Sequence, residues 1–271
     1  MIELKNVDFS YGDKPVLDGV SFRVEESEMV VIMGPSGSGK STILRLILGL
    51  EQPQGGEVLI DGQNICVMKE KEKQRIRKSI GMVFQDGALF DSLTVGENVG
   101  YYLLEHTDMS WKEVGQRAEE MIGFVGLDAD EVGDSLPEQL SGGMRRRVAI
   151  GRALLSTNPR AMLYDEPTTG LDPEATKKVL GLITKLHREK SIASLVVTHQ
   201  IADALGIADR FVVIDTGRIA FDGSLDELRR CSESRVTSFL EPFKESFVQV
   251  AERKFVDLDC GNGKSLGEGS V

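Results

Sequence analysis

Apolar positions along this chain recur in two rhythms. Met29-Val30-Val31-Ile32-Met33 is an unbroken apolar run, the pattern of a strand buried on both faces. Further strands are predicted at 161–164, 195–198 and 211–214, with shorter, partly alternating ones at 2–4, 20–24 and 57–60. Apolar residues three and four apart predict helices over 40–50, 97–105, 111–125, 144–155, 173–189 and 201–208. Tyr11-Gly12-Asp13-Lys14 and Thr216-Gly217-Arg218 read as turns, the second leading into Ile219-Ala220-Phe221. Strands alternating with helices on this scale predict an α/β protein with a largely parallel, doubly wound sheet. Residues 87–155 are mostly helical in texture and are expected to form an insert. One more helix is expected over 245–255, and the glycine-rich stretch 261–269 is expected to be flexible.

Composition narrows this picture in a few places. A chain of 271 residues suits one large domain or two small ones. No stretch approaches the roughly 20 apolar residues that cross a bilayer, so any membrane crossing is expected from partners. The first residues enter a strand pattern at once, without a signal-peptide core, and a cytosolic protein is expected. A net charge of −11 argues against general nucleic-acid binding. The basic stretch 69–78 (Lys69, Lys71, Lys73, Arg75, Arg77, Lys78) is interleaved with Glu70 and Glu72 and reads as a solvated helix face. Cys66, Cys231 and Cys260 are far apart and odd in number, which fits free thiols rather than a metal site or disulfide framework.

The candidate chemistry lies where the strand patterns end. Gly34-Pro35-Ser36-Gly37-Ser38-Gly39-Lys40-Ser41 follows the apolar run and matches the full phosphate-loop pattern between a strand and a helix. Its glycines let backbone N–H groups face phosphates, and the following helix start adds the positive end of its dipole. In such a loop Lys40 reaches the β- and γ-phosphates and Ser41 binds Mg²⁺. Asp165 and Glu166 end the strand 161–164. Paired carboxylates there are costly unless charge meets them. Asp165 is read as a Mg²⁺ holder, and Glu166, on the opposite side of an extended chain, as the base that polarises water. His199 follows the next strand, and that place favours a γ-phosphate contact over a packed strand end. Ser141-Gly142-Gly143 precedes a helix, offering N–H groups and a hydroxyl to an anion. The chain's own nucleotide already has a phosphate loop, so this second element fits a partner copy. An ordinary serine N-cap is the alternative.

Taken together, and in this order, these motifs resemble the ATP-binding subunits of ABC transporters over roughly residues 1–230. The resemblance implies a P-loop NTPase (RecA-like) core with a mostly parallel sheet, an N-terminal antiparallel β subdomain and an inserted helical subdomain. It implies a nucleotide-binding domain at 1–240, followed by a C-terminal extension at 241–271. It further implies that Tyr11 stacks on adenine, that residues 34–42, ending at Thr42, form Walker A, and that Gln85 is the Q-loop glutamine facing metal or water. Leu140-Ser141-Gly142-Gly143-Met144 is then the signature, Asp165 and Glu166 are Walker B and catalytic base, Asp172 is the D-loop aspartate and His199 the switch histidine. Two copies are expected to sandwich two ATP·Mg²⁺. The signature usually ends in Gln, and Met144 departs from that.

Phe84-Gln85-Asp86-Gly87-Ala88-Leu89-Phe90-Asp91-Ser92-Leu93-Thr94-Val95-Gly96-Glu97-Asn98-Val99, with Leu103-Leu104-Glu105-His106-Thr107 and the Met144 signature, is similar to the MlaF group. These are the ATPases of the Mla phospholipid-trafficking systems and their relatives serving MCE-protein lipid transporters. That narrower likeness implies phospholipid cargo, a peripheral place on the cytoplasmic face of an inner membrane, and support of a dimer by the extension at 241–271. Its implied partners are a MlaE-like permease, an MCE-domain substrate-binding protein and a small STAS-domain subunit. Two rivals are an ATPase of a polar amino-acid or other small-solute importer, and a non-transport ABC ATPase in DNA repair or translation. Only about a hundred residues separate Lys40 from Ser141, without sustained heptads, which disfavours a chromosome-type ATPase.

Overall fold

The computed structural model describes residues 1–157 and 159–243. The expected helix over 245–255, the flexible end, Cys260 and most of the C-terminal extension lie outside the described residues.

The chain opens with β1 (Ile2–Tyr11) and β2 (Lys14–Val24), then β3 (Met29–Met33) and helix α1 (Lys40–Ile47). β4 (Gly55–Ile60), β5 (Gln63–Asn64), α2 (Glu70–Arg77) and β6 (Ile80–Val83) follow. The helical insert holds α3 (Val95–His106), α4 (Trp111–Phe124), α5 (Ala129–Val132) and α6 (Gly142–Thr157). The chain then alternates through β7 (Ala161–Asp165), α7 (Pro173–Lys190), β8 (Ala193–Thr198), α8 (Ile201–Ile207), β9 (Arg210–Asp215) and β10 (Arg218–Gly223). It closes with α9 (Leu225–Arg230) and α10 (Ser234–Leu240).

These strands form two sheets. One is antiparallel, in the order β2-β1-β4-β5; the other runs β10-β9-β3-β8-β7-β6. In the second, β9, β3, β8, β7 and β6 are mutually parallel and β10 pairs antiparallel with β9. The expected fold class, an α/β core with an antiparallel N-terminal sheet and a helical subdomain, is the observed one.

The apolar runs are buried on both faces because each side faces a different core. Val30 and Ile32 of β3, Leu163 of β7 and Leu195 and Val197 of β8 pack with α1 and the antiparallel sheet. Their neighbours Met29, Val31, Met33, Met162, Tyr164 and Val196 point the other way, onto α6, α7 and α8. That is the two-residue alternation of extended chain. A third cluster, with Val95, Val99, Ala118, Ile122, Leu140 and Val148, holds the insert together.

Several elements differ from the sequence reading. β1 and β2 are far longer than the strands predicted at 2–4 and 20–24. Their pairing shifts register between Leu4 and Val7, Val7 and Phe9, and Phe9 and Ser10, and Asn6 has φ 46°. Such bulges interrupt the apolar–polar alternation that marks a strand. Helix α6 starts at Gly142, two residues before the predicted start. α2 buries no residue, as expected of a solvated basic helix. Cys66 and Cys231 are free thiols.

Candidate active site

Four adjacent parallel strands, β3, β8, β7 and β6, deliver the candidate residues at their carboxyl ends. β3 leads into the phosphate loop, β8 into His199, β7 into Asp165 and Glu166, and β6 toward Gln85. Ligands on parallel sheets bind beyond this edge. A cleft of about 410 Å³ opens there, lined by Tyr11, Ser36, Gly37, Gly39, Lys40, Ser41, Thr42, Gln85, Glu166 and His199, and by Lys14, Pro15 and Val16. A cleft of similar size, about 420 Å³, lies at the opposite end of the sheet around Met1, Asp61 and Arg160 and holds none of the motif residues.

The loop is shaped to surround an anion. Gly39 has φ 103°, and a β-carbon there would come within 2.5 Å of Leu17 Cδ2, so only glycine fits. Lys40 is buried and turns its ammonium back on the loop, donating to the carbonyls of Gly34 (2.8 Å) and Pro35 (3.0 Å). Burial lowers the Lys40 pKa, opposed by the nearby Glu166 and Asp165 carboxylates. Ser38 Oγ is buried with no hydrogen-bond partner among the described residues, a polar atom suited to a phosphate oxygen. Tyr11 stands at the rim, edge-on to Phe9 with centroids 4.8 Å apart, and its hydroxyl accepts from Arg45 Nη1 (3.2 Å). Its half-exposed ring beside Val16 offers a flat surface for a base.

Ser41 Oγ donates to Asp165 Oδ1 at 2.9 Å, joining α1 to the end of β7. Burial raises the Asp165 pKa, and the Ser41 hydrogen bond works against that rise. A hydroxyl and a carboxylate placed together are hard oxygen donors of the kind Mg²⁺ takes alongside nucleotide phosphates. The two residues therefore fit the ion the motif implies.

Glu166 is not extended, contrary to the sequence reading. It has φ 48°, directly before Pro167. Left-handed backbone is strained for a non-glycine residue, and proline restricts the residue before it to extended conformations. The neighbourhood over-determines this geometry. Glu166 N donates to Val197 O at 2.9 Å. Its Oε2 accepts from Thr169 Oγ1 (3.0 Å), Thr198 Oγ1 (3.1 Å) and His199 N (3.3 Å), and Oε1 lies 2.8 Å from His199 Nδ1. Only 8% of Glu166 is exposed. Carboxylate and imidazole thus form a pair facing the cleft, held from behind by two hydroxyls. Strain of this kind gathers at functional sites.

Ser141, Gly142, Gly143 and Asp172 do not line the cleft. Ser141 Oγ accepts from Met144 N at 3.2 Å, so the serine caps its own helix as well as presenting its start. Gly143 packs against α7, where a β-carbon would sit 2.7 Å from Ala175 Cβ. Asp172 is the N-cap of α7, accepting from Ala175 N at 2.9 Å. Its carboxylate is engaged in that cap.

The sequence reading missed Thr169, Thr198 and the arginines of α6. Arg146 donates to Phe84 O, Pro167 O and Thr169 O, and Arg152 to Gly87 O and Ala88 O. Three consecutive arginines directly after the signature were the available signal.

Comparison with known proteins gives this geometry its lineage. The ABC transporter family model matches residues 17–169. The chain is 37% identical over 241 residues to the intermembrane phospholipid transport system ATP-binding protein MlaF of Haemophilus influenzae, covering 89% of this chain and 90% of that protein. It is 44% identical over 242 residues to the methionine import ATP-binding protein MetN of Corynebacterium efficiens, covering 89% of this chain and 64% of that protein. Among solved structures, the dimeric ATP-binding cassette MJ0796 in a post-hydrolysis state bound to ADP and Pi is 38% identical, with a TM-score of 0.76. That alignment covers 83% of this chain and 99% of that one. The chain belongs to the ABC transporter family, as an ATP-binding subunit that hydrolyses ATP.

Proposed function

We propose that two copies of this chain close head to tail over two ATP·Mg²⁺ and drive a membrane permease that moves phospholipid between membranes. The observation that carries the two-copy reading is a separation. Lys40, Ser41, Gln85, Glu166 and His199 share one cleft, whereas Ser141, Gly142 and Gly143 lie outside it. A helix start that offers N–H groups to an anion is completed by the nucleotide of a second copy.

Within each site the phosphate loop and Lys40 hold the β- and γ-phosphates. Tyr11 carries the adenine. Ser41 and Asp165 would hold Mg²⁺, with Gln85 as a further contact, and the ion when bound would neutralise phosphate charge. Glu166 orients and polarises the attacking water, and His199, paired to it at 2.8 Å, contacts the γ-phosphate. Asp172, as the cap of α7, places the loop that faces the other copy.

The partner-facing surface follows Gln85. Phe84 and Phe90, near it in the chain, are exposed aromatic residues, and Phe90 meets the exposed Tyr101 with tilted rings whose centroids are 4.6 Å apart. An apolar patch on an otherwise charged chain fits a docked segment of a permease. None of the described residues forms a helix long and apolar enough to cross a membrane. The likeness to MlaF supports a peripheral place on the cytoplasmic face of an inner membrane, below a MlaE-like permease, with an MCE-domain protein and a STAS-domain subunit completing the assembly. The 90% coverage of MlaF's own length supports the phospholipid reading. The 44% identity to MetN favours a second one, a small-solute importer.

Two measurements separate these layers. Glu166→Gln is expected to trap an ATP-bound dimer, visible as a doubled mass in the presence of ATP. Turnover at the parent rate would remove Glu166 from its role. Co-purification from the native membrane identifies the permease: an MCE-associated permease supports lipid cargo, and a methionine-type permease overturns it.

A further inference from the structure

Arg146 is the most deeply buried cation of α6, with 6% of its surface exposed. Among the described residues no carboxylate lies within 4.0 Å of it to form an ion pair. Its guanidinium instead donates to three backbone carbonyls: Nε to Pro167 O (3.0 Å), Nη1 to Phe84 O (3.1 Å) and Nη2 to Thr169 O (3.4 Å). These oxygens belong to two separate segments. One adjoins Gln85 at the exit of β6. The other is the turn that begins at the strained Glu166 and carries Thr169, a hydrogen-bond donor to the Glu166 carboxylate.

A buried guanidinium without a direct ion pair is expensive even with the Asp86 carboxylate close enough to oppose the effect of burial, and an apolar side chain of similar volume is commonly the more stable choice. The cation therefore points to a requirement other than stability. Arginine alone presents a rigid planar fork with five donors, able to fasten several acceptors in one plane. Arg152, six residues further along α6, holds Gly87 O (3.0 Å) and Ala88 O (2.8 Å). The helix that starts at Ser141-Gly142-Gly143 thus grips the Gln85 segment on both sides and the Glu166 turn at once.

We infer that Arg146 is a positioning residue that fastens the Gln85 segment to the Glu166 turn, so that the two move as one body with the signature helix. The inference rests on the roles given above to Gln85 and Glu166. Displacement of α6 by the second copy's nucleotide, or of the Gln85 segment by the permease, then reaches the Glu166 carboxylate through one side chain. Lys40 and the phosphate loop belong to β3 and α1, outside this tie, so ATP binding is unaffected by it.

The test uses the full chain in its transporter complex, with turnover normalised to ATP-binding sites so that misfolded protein is not counted. Arg146→Met is expected to lower kcat about 10- to 100-fold, as small misplacements of catalytic groups do, with KM for ATP changed less than about twofold. Arg146→Lys keeps the charge without the fork and is expected to be similarly impaired. It also serves if the methionine variant does not fold. Adding Gln85→Ala to either variant is expected to cause little further loss, because the tie to Gln85 is already broken. Turnover within about twofold of the parent, or losses that multiply when combined with Gln85→Ala, overturns the tie. Glu166→Gln measured alongside keeps the two failures apart. If Glu166→Gln abolishes turnover and the Arg146 variants do not, only the tie is wrong; if Glu166→Gln is active, the site assignment itself fails.

Discussion

Replacing Thr198 by valine isolates the energetic cost of holding Glu166 in place. The two side chains have nearly the same shape, so packing at the end of β8 is kept. Two hydrogen bonds are lost. Thr198 Oγ1 donates to Glu166 Oε2 at 3.1 Å and accepts from Gln200 N at 2.9 Å. Thr198 is buried, so water does not replace them. A hydrogen bond to a charged group contributes about 1.5–3 kcal/mol and a neutral one about 0.5–1.5 kcal/mol, giving a loss of roughly 2–4.5 kcal/mol. For a domain of this size that lowers Tm by roughly 5–15 °C. Equilibrium urea unfolding of the nucleotide-free chain measures it as a lower midpoint at unchanged slope. The same substitution in a Glu166→Gln background is expected to cost at least about 1 kcal/mol less, since the charge that strengthens the contact is gone. Thr198→Ser keeps the hydroxyl and is expected to lose about 1 kcal/mol at most. A Thr198→Val protein within about 0.5 kcal/mol of the parent refutes the clamp. So does an equal loss in both backgrounds.

Other outcomes follow from neighbouring groups. Asp165 has its pKa raised by burial, so the folded state binds this proton more tightly than the unfolded chain. Its contribution is favourable at low pH and is lost as pH rises past the ordinary aspartate value of 3.8. Asp165→Asn is therefore expected to be more stable than the parent at neutral pH, with an advantage that shrinks as pH is lowered in urea titrations, while turnover falls. Ser141→Arg places bulk and charge at the start of α6, and its expected result is unchanged ATP binding with turnover reduced about 100-fold or more; a fully active Ser141→Arg complex contradicts completion by a second copy. Gly39→Ala brings a β-carbon to 2.5 Å from Leu17 Cδ2 at φ 103°. Calorimetric ATP titration should show at least about tenfold weaker binding, with about 1–3 kcal/mol of strain in unfolding experiments.

Legibility in the sequence followed how locally each feature is encoded. β3, β7 and β8 announce themselves because burial on both faces needs no pattern beyond continuous apolarity. The phosphate loop and the Asp165-Glu166 pair were readable because short contiguous motifs carry their chemistry. β1 was hidden by bulges that shift its pairing three times along its length. The backbone of Glu166 was also hidden: an acidic residue before proline reads as extended, and the left-handed turn is imposed by Val197, Thr198 and Thr169 across the fold. Thr198 itself looks like an ordinary strand threonine. Arg145-Arg146-Arg147 looks like a solvated charge run, and only the tertiary fold sends Arg146 inward. Asp172 entered only through the family resemblance, as the D-loop aspartate, and in the structure its carboxylate caps α7.

The hydrogen bonds from Arg146 and Arg152 of α6 to the loop after β6 end on main-chain oxygens: Phe84, Gly87 and Ala88 are each gripped through a carbonyl. Every amino acid supplies that oxygen. The half-exposed side chain at position 84 is thereby left at liberty to vary with whatever protein it meets, while the lever beneath keeps its hold. One motor can be refitted to many cargoes in this way, its transmission indifferent to the identity of the coupling.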